Sequence, residues 1–120
     1  MSDELASSPE FEVISGAYYA DHWTGRSVDL RLKPSPLPRT LQIRLWNPPY
    51  NPRYMENNLV LSLNGVSLLS KPMGPGRGET VDVKLPAGSA SALRLASKAY
   101  LEPDVFDPRT RGVIMRLVFS

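Results

Sequence analysis

The sequence predicts an all-β fold, an antiparallel β-sandwich or barrel of about eight short strands. Three observations carry that expectation. Apolar residues recur with a period of two, runs rich in proline and glycine separate the alternating stretches, and no segment carries an amphipathic helical stripe.

The strands follow in order. Phe11–Ser15 opens the series. Ser27–Leu32 puts Val28, Leu30 and Leu32 on one face and Asp29 and Arg31 on the other, and Leu41–Leu45 repeats the pattern. Leu59–Leu63 turns Leu59, Leu61 and Leu63 inward. Asn64-Gly65 then supplies the two positive-φ positions of a type I′ turn, which predicts a hairpin into the short Val66–Leu69 strand. Val81–Leu85 alternates without a fault, and Leu93–Leu95 follows. Val113–Phe119 is apolar on both faces and reads as a more central strand. Between these runs, Pro34–Pro38, Asn47–Tyr54, Pro72–Gly78 and Pro86–Ala90 act as connections, because proline cannot donate into a ladder.

At 120 residues the chain has room for one core, so the expectation is a flexible arm over residues 1–10 and a single sandwich domain over 11–120. A soft start and an ordered end suit a module of a longer chain as well as an independent protein. No run of about 18 apolar residues predicts a membrane span, and the polar, acidic start lacks the pattern of a signal peptide. A cytoplasmic location is the resulting expectation. Zero cysteines remove disulfides and thiol catalysis, and one histidine leaves little for imidazole chemistry. Fourteen basic against twelve acidic side chains leave a net charge of +2. The arginines are scattered rather than gathered into a stripe with interleaved aromatics, so no nucleic-acid partner is expected.

Three stretches concentrate chemistry. Gly16–Arg26 holds Tyr18, Tyr19, His22 and Trp23 in an irregular segment. Two readings fit these rings: stacking on a sugar by Tyr18 and Trp23 with Arg26 as a polar contact, or a plug that closes the end of the sandwich. The proline-stiffened run from Trp46 to Tyr54 offers Trp46 and Tyr50, either for a pre-organised ligand contact or to cover a sheet edge. Asp104–Val113 pairs Asp107 with Arg109 across a proline. That spacing lets the aspartate accept backbone N–H groups while the arginine cross-braces the aromatic segment; a polar ligand contact is the other use.

Catalysis finds little support. His22 beside Asp21 lacks a nucleophile signature, which leaves a small hydrolase as a remote alternative. Gly74–Gly78 is glycine-rich without the lysine and threonine of a phosphate loop. No cofactor is expected; a structural calcium held by Glu12, Asp107 or loop carbonyls is the one metal site considered, and it is disfavoured.

With these residues in view, the order Gly16-x-Tyr18, a Trp23-centred segment, the strand ending in Asn64-Gly65, Val81–Pro86, and Asp107-Pro-Arg109 with Gly112-Val113 resembles the galactose-binding-like jelly-roll modules found with bacterial glycosyltransferases and other surface-polysaccharide proteins. Arg111 stands where members carry leucine in an Asp-x-Arg-x-Leu-Gly pattern, and Asp21-His22-Trp23-Thr24 replaces a Glu-Gly-Trp-like run. The resemblance implies a non-catalytic accessory module. Its expected partner is a saccharide, contacted through Tyr18, Trp23, Arg26, Trp46, Tyr50, Asp107 and Arg109, near a glycosyltransferase domain. The rival is an interaction or oligomerisation scaffold that docks a catalytic domain or a second copy of the chain.

Overall fold

The computed structural model describes residues 4–48, 57–98, 102, 103, 105 and 107–120. Its elements are β1 (Phe11–Tyr18), β2 (Thr24–Leu32), β3 (Arg39–Asn47), β4 (Asn57–Leu63), β5 (Val66–Met73), β6 (Arg77–Leu85), β7 (Ser91–Ser97) and β8 (Ile114–Phe119), with no helix among the described residues. One sheet has the order β1-β2-β7-β4-β5 and the other β6-β3-β8, and every pairing is antiparallel. The series β2-β7-β4-β5 against β8-β3-β6 is the strand order of a jelly roll. β1 departs from the regular arrangement, lying beside β2 rather than beside β8.

Alternation explains the layers. Val28, Leu30 and Leu32 of β2, Leu59 and Leu61 of β4, and Leu93 and Leu95 of β7 face Leu41, Ile43 and Leu45 of β3 and Met115 of β8. Each such side chain contributes about 1.5–3 kcal/mol by leaving water. The predicted hairpin is present: Asn64 (φ 50°) and Gly65 (φ 81°) are both left-handed. Asn64 also ties the turn to β7, its Oδ1 accepting from Ala92 N at 2.8 Å.

Three expectations need correction. β8 is an edge strand and β3 is the central one; the apolar residues on the second face of β8 are exposed Val118 and Ile114, which packs against Trp23. The strand after Asn64-Gly65 runs on through Pro72 to Met73, because β5 is an edge and the missing N–H of Pro72 is not needed by a neighbour. The arm expected to be free is attached over residues 4–8. Leu5 N donates to Tyr18 O at 2.7 Å, Val13 N to Ala6 O at 2.8 Å and Ser8 N to Phe11 O at 2.7 Å, so this segment lines the outer edge of β1 while Leu5 packs on the core.

The connections β1–β2, β3–β4, β5–β6 and β7–β8 all emerge at one end. The start of β4 pairs with the end of β7 (Leu59 with Ser97), and Gly76 N reaches Asn47 O at 2.6 Å. A seam there joins the two layers: Thr24 N donates to Val113 O, and Gly112 N to Thr24 O, each at 2.8 Å.

Two glycines with positive φ distinguish conformation from crowding. Gly65 has open space around its missing Cβ, so Gly65→Ala costs only the left-handed penalty, about 1–2 kcal/mol. At Gly16 (φ 75°) a Cβ would drive into the Ser27 carbonyl of the paired strand, so Gly16→Ala costs more than Gly65→Ala. Urea denaturation of the two variants measures the order; equal losses would refute it.

Candidate functional site

A guanidinium organises the end of the sandwich. Arg109 sends Nε to Asp107 Oδ1 (2.8 Å) and Nη2 to Asp107 Oδ2 (2.7 Å), while Nη1 and Nη2 reach Asp21 Oδ1 and Oδ2 at 2.9 and 3.0 Å. Both carboxylates are thus forked by one side chain, which is 9% exposed. Proline fixes the local geometry. Asp107 accepts the Arg109 N–H across Pro108 at 3.0 Å, as the spacing predicted. The guanidinium carbon also lies 4.7 Å from the centre of the Tyr19 ring, and that of Arg111 lies 5.8 Å from the centre of the Trp23 ring.

The electrostatics follow from this fork. Hydrogen bonds from Arg109 hold the Asp107 carboxyl at about 2, against partial desolvation. Desolvation pushes Asp21 upward, but the hydrogen bonds and charge of Arg109 outweigh it and leave the carboxyl below its usual range. Arg109 itself is raised further above its ordinary value by the same bonds, those to Asp107 first.

The structure separates the residues singled out in the sequence. Tyr18 is 2% exposed: its ring lies in the core against Phe11, and its hydroxyl donates to Met115 O at 2.6 Å. Burial pushes that phenol up to about 12. Trp23 is 7% exposed and packs with Tyr19 and Ile114. The expectation that Tyr18 and Trp23 stack on a sugar is therefore corrected in favour of the plug reading, since neither ring offers an open face. Arg109 is committed to Asp107 and Asp21, and Asp107 to Arg109 and, at 3.6 Å, to Arg111. Arg26, near the start of β2, is exposed. Trp46 is 38% exposed and lies on the outer surface of β3, one strand over from the Ile114–Trp23 bridge, rather than in the cleft lined by residues 108–110. Tyr50, with the rest of the loop over residues 49–56, lies outside the described residues.

Sequence reasoning passed over Tyr19. With Arg26, Arg109, Pro108 and Thr110 it lines an open cleft of ≈ 410 Å³ floored by Gly16, Ala17, Gly25 and Ser27. Adjacent tyrosines in a strand point to opposite sides, and a firm parity for Phe11 would have assigned them. Register shifts between Val13 and Ser15 and between Gly16 and Tyr18 spoil that count.

Asp21 does not serve His22 as an orienting acid. Its carboxylate is turned to Arg109, and His22 Nδ1 lies instead 3.3 Å from the Tyr18 hydroxyl. The Tyr18 proton goes to Met115 O, so Nδ1–H of His22 is the donor in that contact. Glu12, one of the ligands considered for calcium, accepts from Arg31 at 3.1 Å on β1. Among the described residues no three acidic or histidine side chains converge on a metal position.

Strand pairing and seam together define a two-layered jelly-roll sandwich with a cleft at its looped end. No protein-family model matches the sequence, and no curated protein does. Among solved structures the chain is similar to a family 35 carbohydrate-binding module from Paenibacillus barcinonensis, with a TM-score of 0.48 and 11% identity over 100% of this chain and 98% of that one. A family 35 module from Clostridium thermocellum gives 0.44 and 10% over 99% and 85%, and one from an environmental isolate 0.46 and 13% over 100% and 88%. Similarity at this level carries no argument about ligand or site.

Two measurements test the electrostatics. Replacing Arg109 by Gln leaves two carboxylates without their fork and costs at least about 2 kcal/mol at neutral pH. Because Asp107 is depressed in the folded state, its contribution is complete above the unfolded value of 3.8 and is lost as pH falls toward about 2. The acid limb of the stability profile over that window flattens in the variant; an unchanged limb would overturn the assignment. Second, burial and then the charge of Arg116 lower the His22 pKa below 6.5. As the chain has one histidine, its NMR titration reads this directly, and Arg116→Gln raises the midpoint.

Proposed function

We propose that the chain is a non-catalytic module that recognises a saccharide in the cleft between the start of β2 and residues 108–110. One observation carries the reading: Tyr19 is held over the doubly forked Arg109 guanidinium, beside exposed Arg26, in an open space of ≈ 410 Å³. A ring immobilised in this way loses little further rotamer freedom on binding. The apolar face of a pyranose matches an aromatic edge or face, while Arg26 and the Thr110 hydroxyl supply donors and acceptors for its hydroxyls. Asp21, the one acid adjacent to the histidine, is occupied with bracing, which speaks for binding without turnover. Following the resemblance noted in the sequence, the module works beside a glycosyltransferase domain in bacterial glycan biosynthesis, holding a sugar chain while its partner acts on the end.

Glycan-array screening followed by calorimetric titration tests the proposal. Tyr19→Ala and Arg26→Gln each weaken the retained glycan by about tenfold, the worth of one ring contact or one charged hydrogen bond. Thermal melts monitor folding of both variants. A well-folded wild type that retains no glycan would sink the reading.

A further inference from the structure

We propose that the free edge of β6 is a docking surface for the same edge of a second copy of this chain. The inference goes beyond the saccharide reading and uses none of its residues. Backbone parity defines the edge. Thr40 of β3 exchanges both of its backbone hydrogen bonds with Ser120, just past the end of β8, each at 2.9 Å. Successive residues of a strand direct these groups to opposite sides, so Leu41, Ile43 and Leu45 turn theirs toward β6. Their partners there are Val83, Val81 and Glu79. The N–H and C=O groups of Gly78, Thr80, Asp82 and Lys84 therefore point away from the sheet, and these residues are exposed.

The other margins are guarded in part, and this one is not. Residues 4–8 bond along β1, Pro72 interrupts β5, and on β8 the Met115 N–H is taken by His22 O at 2.9 Å. By contrast β6 is a nine-residue strand that follows β3 without a register shift or a proline. Among the described residues no strand or loop bonds to its outward backbone groups. Asp82 and Lys84 project beside that edge, and among the described residues neither joins an ion pair.

Those two charges select the occupant. Antiparallel contact between the same edge of two copies has a two-fold axis, and its hydrogen-bonded positions are the outward ones on both strands. With the axis through Val83, Asp82 of each copy stands opposite Lys84 of the other and exchanges both backbone bonds with it. On the inner face, Val83 then meets Val83, and Val81 meets Leu85. An axis at Asp82 or at Lys84 would set like charges against each other, and one at Val81 would set Glu79 against Val83. One register thus satisfies backbone, charge and apolar face together. It merges the two three-stranded layers into one continuous sheet. The contact uses the flank across β3 from β8, away from the bridge to Trp23.

Sedimentation equilibrium on the 120-residue chain, without sugar, tests the proposal. Wild type shows a reversible monomer–dimer equilibrium between micromolar and millimolar concentration. Asp82→Lys and Lys84→Asp each weaken dimerisation at least about tenfold, because attractive pairs become repulsive ones. Mixed in equal amounts, the two single variants form a heterodimer at least as tightly as wild type self-associates. The double exchange Asp82→Lys/Lys84→Asp restores the homodimer. Misfolding of a variant cannot produce that recovery. Amide hydrogen exchange reads the register: Asp82 and Lys84 become protected as concentration rises, whereas Gly78 stays fast. A wild type that remains monomeric throughout, or single variants that dimerise as wild type does, would overturn the proposal. So would a mixture no tighter than its components, or protection that extends to Gly78. Because no sugar is present, these outcomes are independent of the glycan titration at the cleft.

Discussion

The looped end of this sandwich depends on one buried guanidinium shared between two carboxylates. Asp107 and Arg109 close a turn on the β7–β8 connection, and the free side of the same guanidinium grips Asp21 in the β1–β2 connection. Residues 88 apart in sequence are thereby held together by a planar, bidentate contact. Such a cluster is not a large source of net stability, because desolvation offsets much of the attraction. What it contributes is position. The seam of Thr24, Gly112 and Val113 lies directly below, and a side chain at Gly112 would meet the Gly25 carbonyl and the Ser97 hydroxyl. Fork and seam together join the described parts of the two connections into one unit.

That unit separates two kinds of aromatic residue. Tyr18 and Trp23 are internal and stabilise the end of the barrel-like cross-section by area and by the Tyr18 hydroxyl bond to Met115. Tyr19 and Trp46 meet solvent, the first at the cleft and the second on a flat sheet. Ile114 links the two regions, since it bridges to Trp23 on one side and pairs with Trp46 on the other.

Much of this architecture was legible before any coordinates. Alternation over Ser27–Leu32, Leu41–Leu45 and Val81–Leu85 assigns inward and outward positions, and the Asn64-Gly65 turn pins one hairpin. Parity even places Trp46 outside, because Leu45 is inside. The brace from Arg109 to an acid in the aromatic segment was also foreseeable from the Asp-Pro-Arg spacing. What alternation cannot convey is a register shift. Two bulges in β1 break the count between Phe11 and Tyr18, so which tyrosine is buried depends on pairing with β2, a non-local fact. The edge position of β8 was hidden for a related reason: apolar residues on a second face read as central burial, whereas here Ile114 covers a neighbouring indole and Val118 is exposed.

The upstream residues that line β1 have a bearing on assembly. An unpaired strand is a template on which another polypeptide can polymerise. Here Leu5, Ala6 and Ser8 already occupy part of that template, bonding to Tyr18, Val13 and Phe11. In the five-stranded layer the opposite margin is β5, where Pro72 withholds one donor and Lys71 carries a charge. Both margins are thus blunted by different chemistry, one by self-capping and one by an imino acid with a cation. Losing residues 4–8 would convert a guarded margin of this layer into a seeding surface.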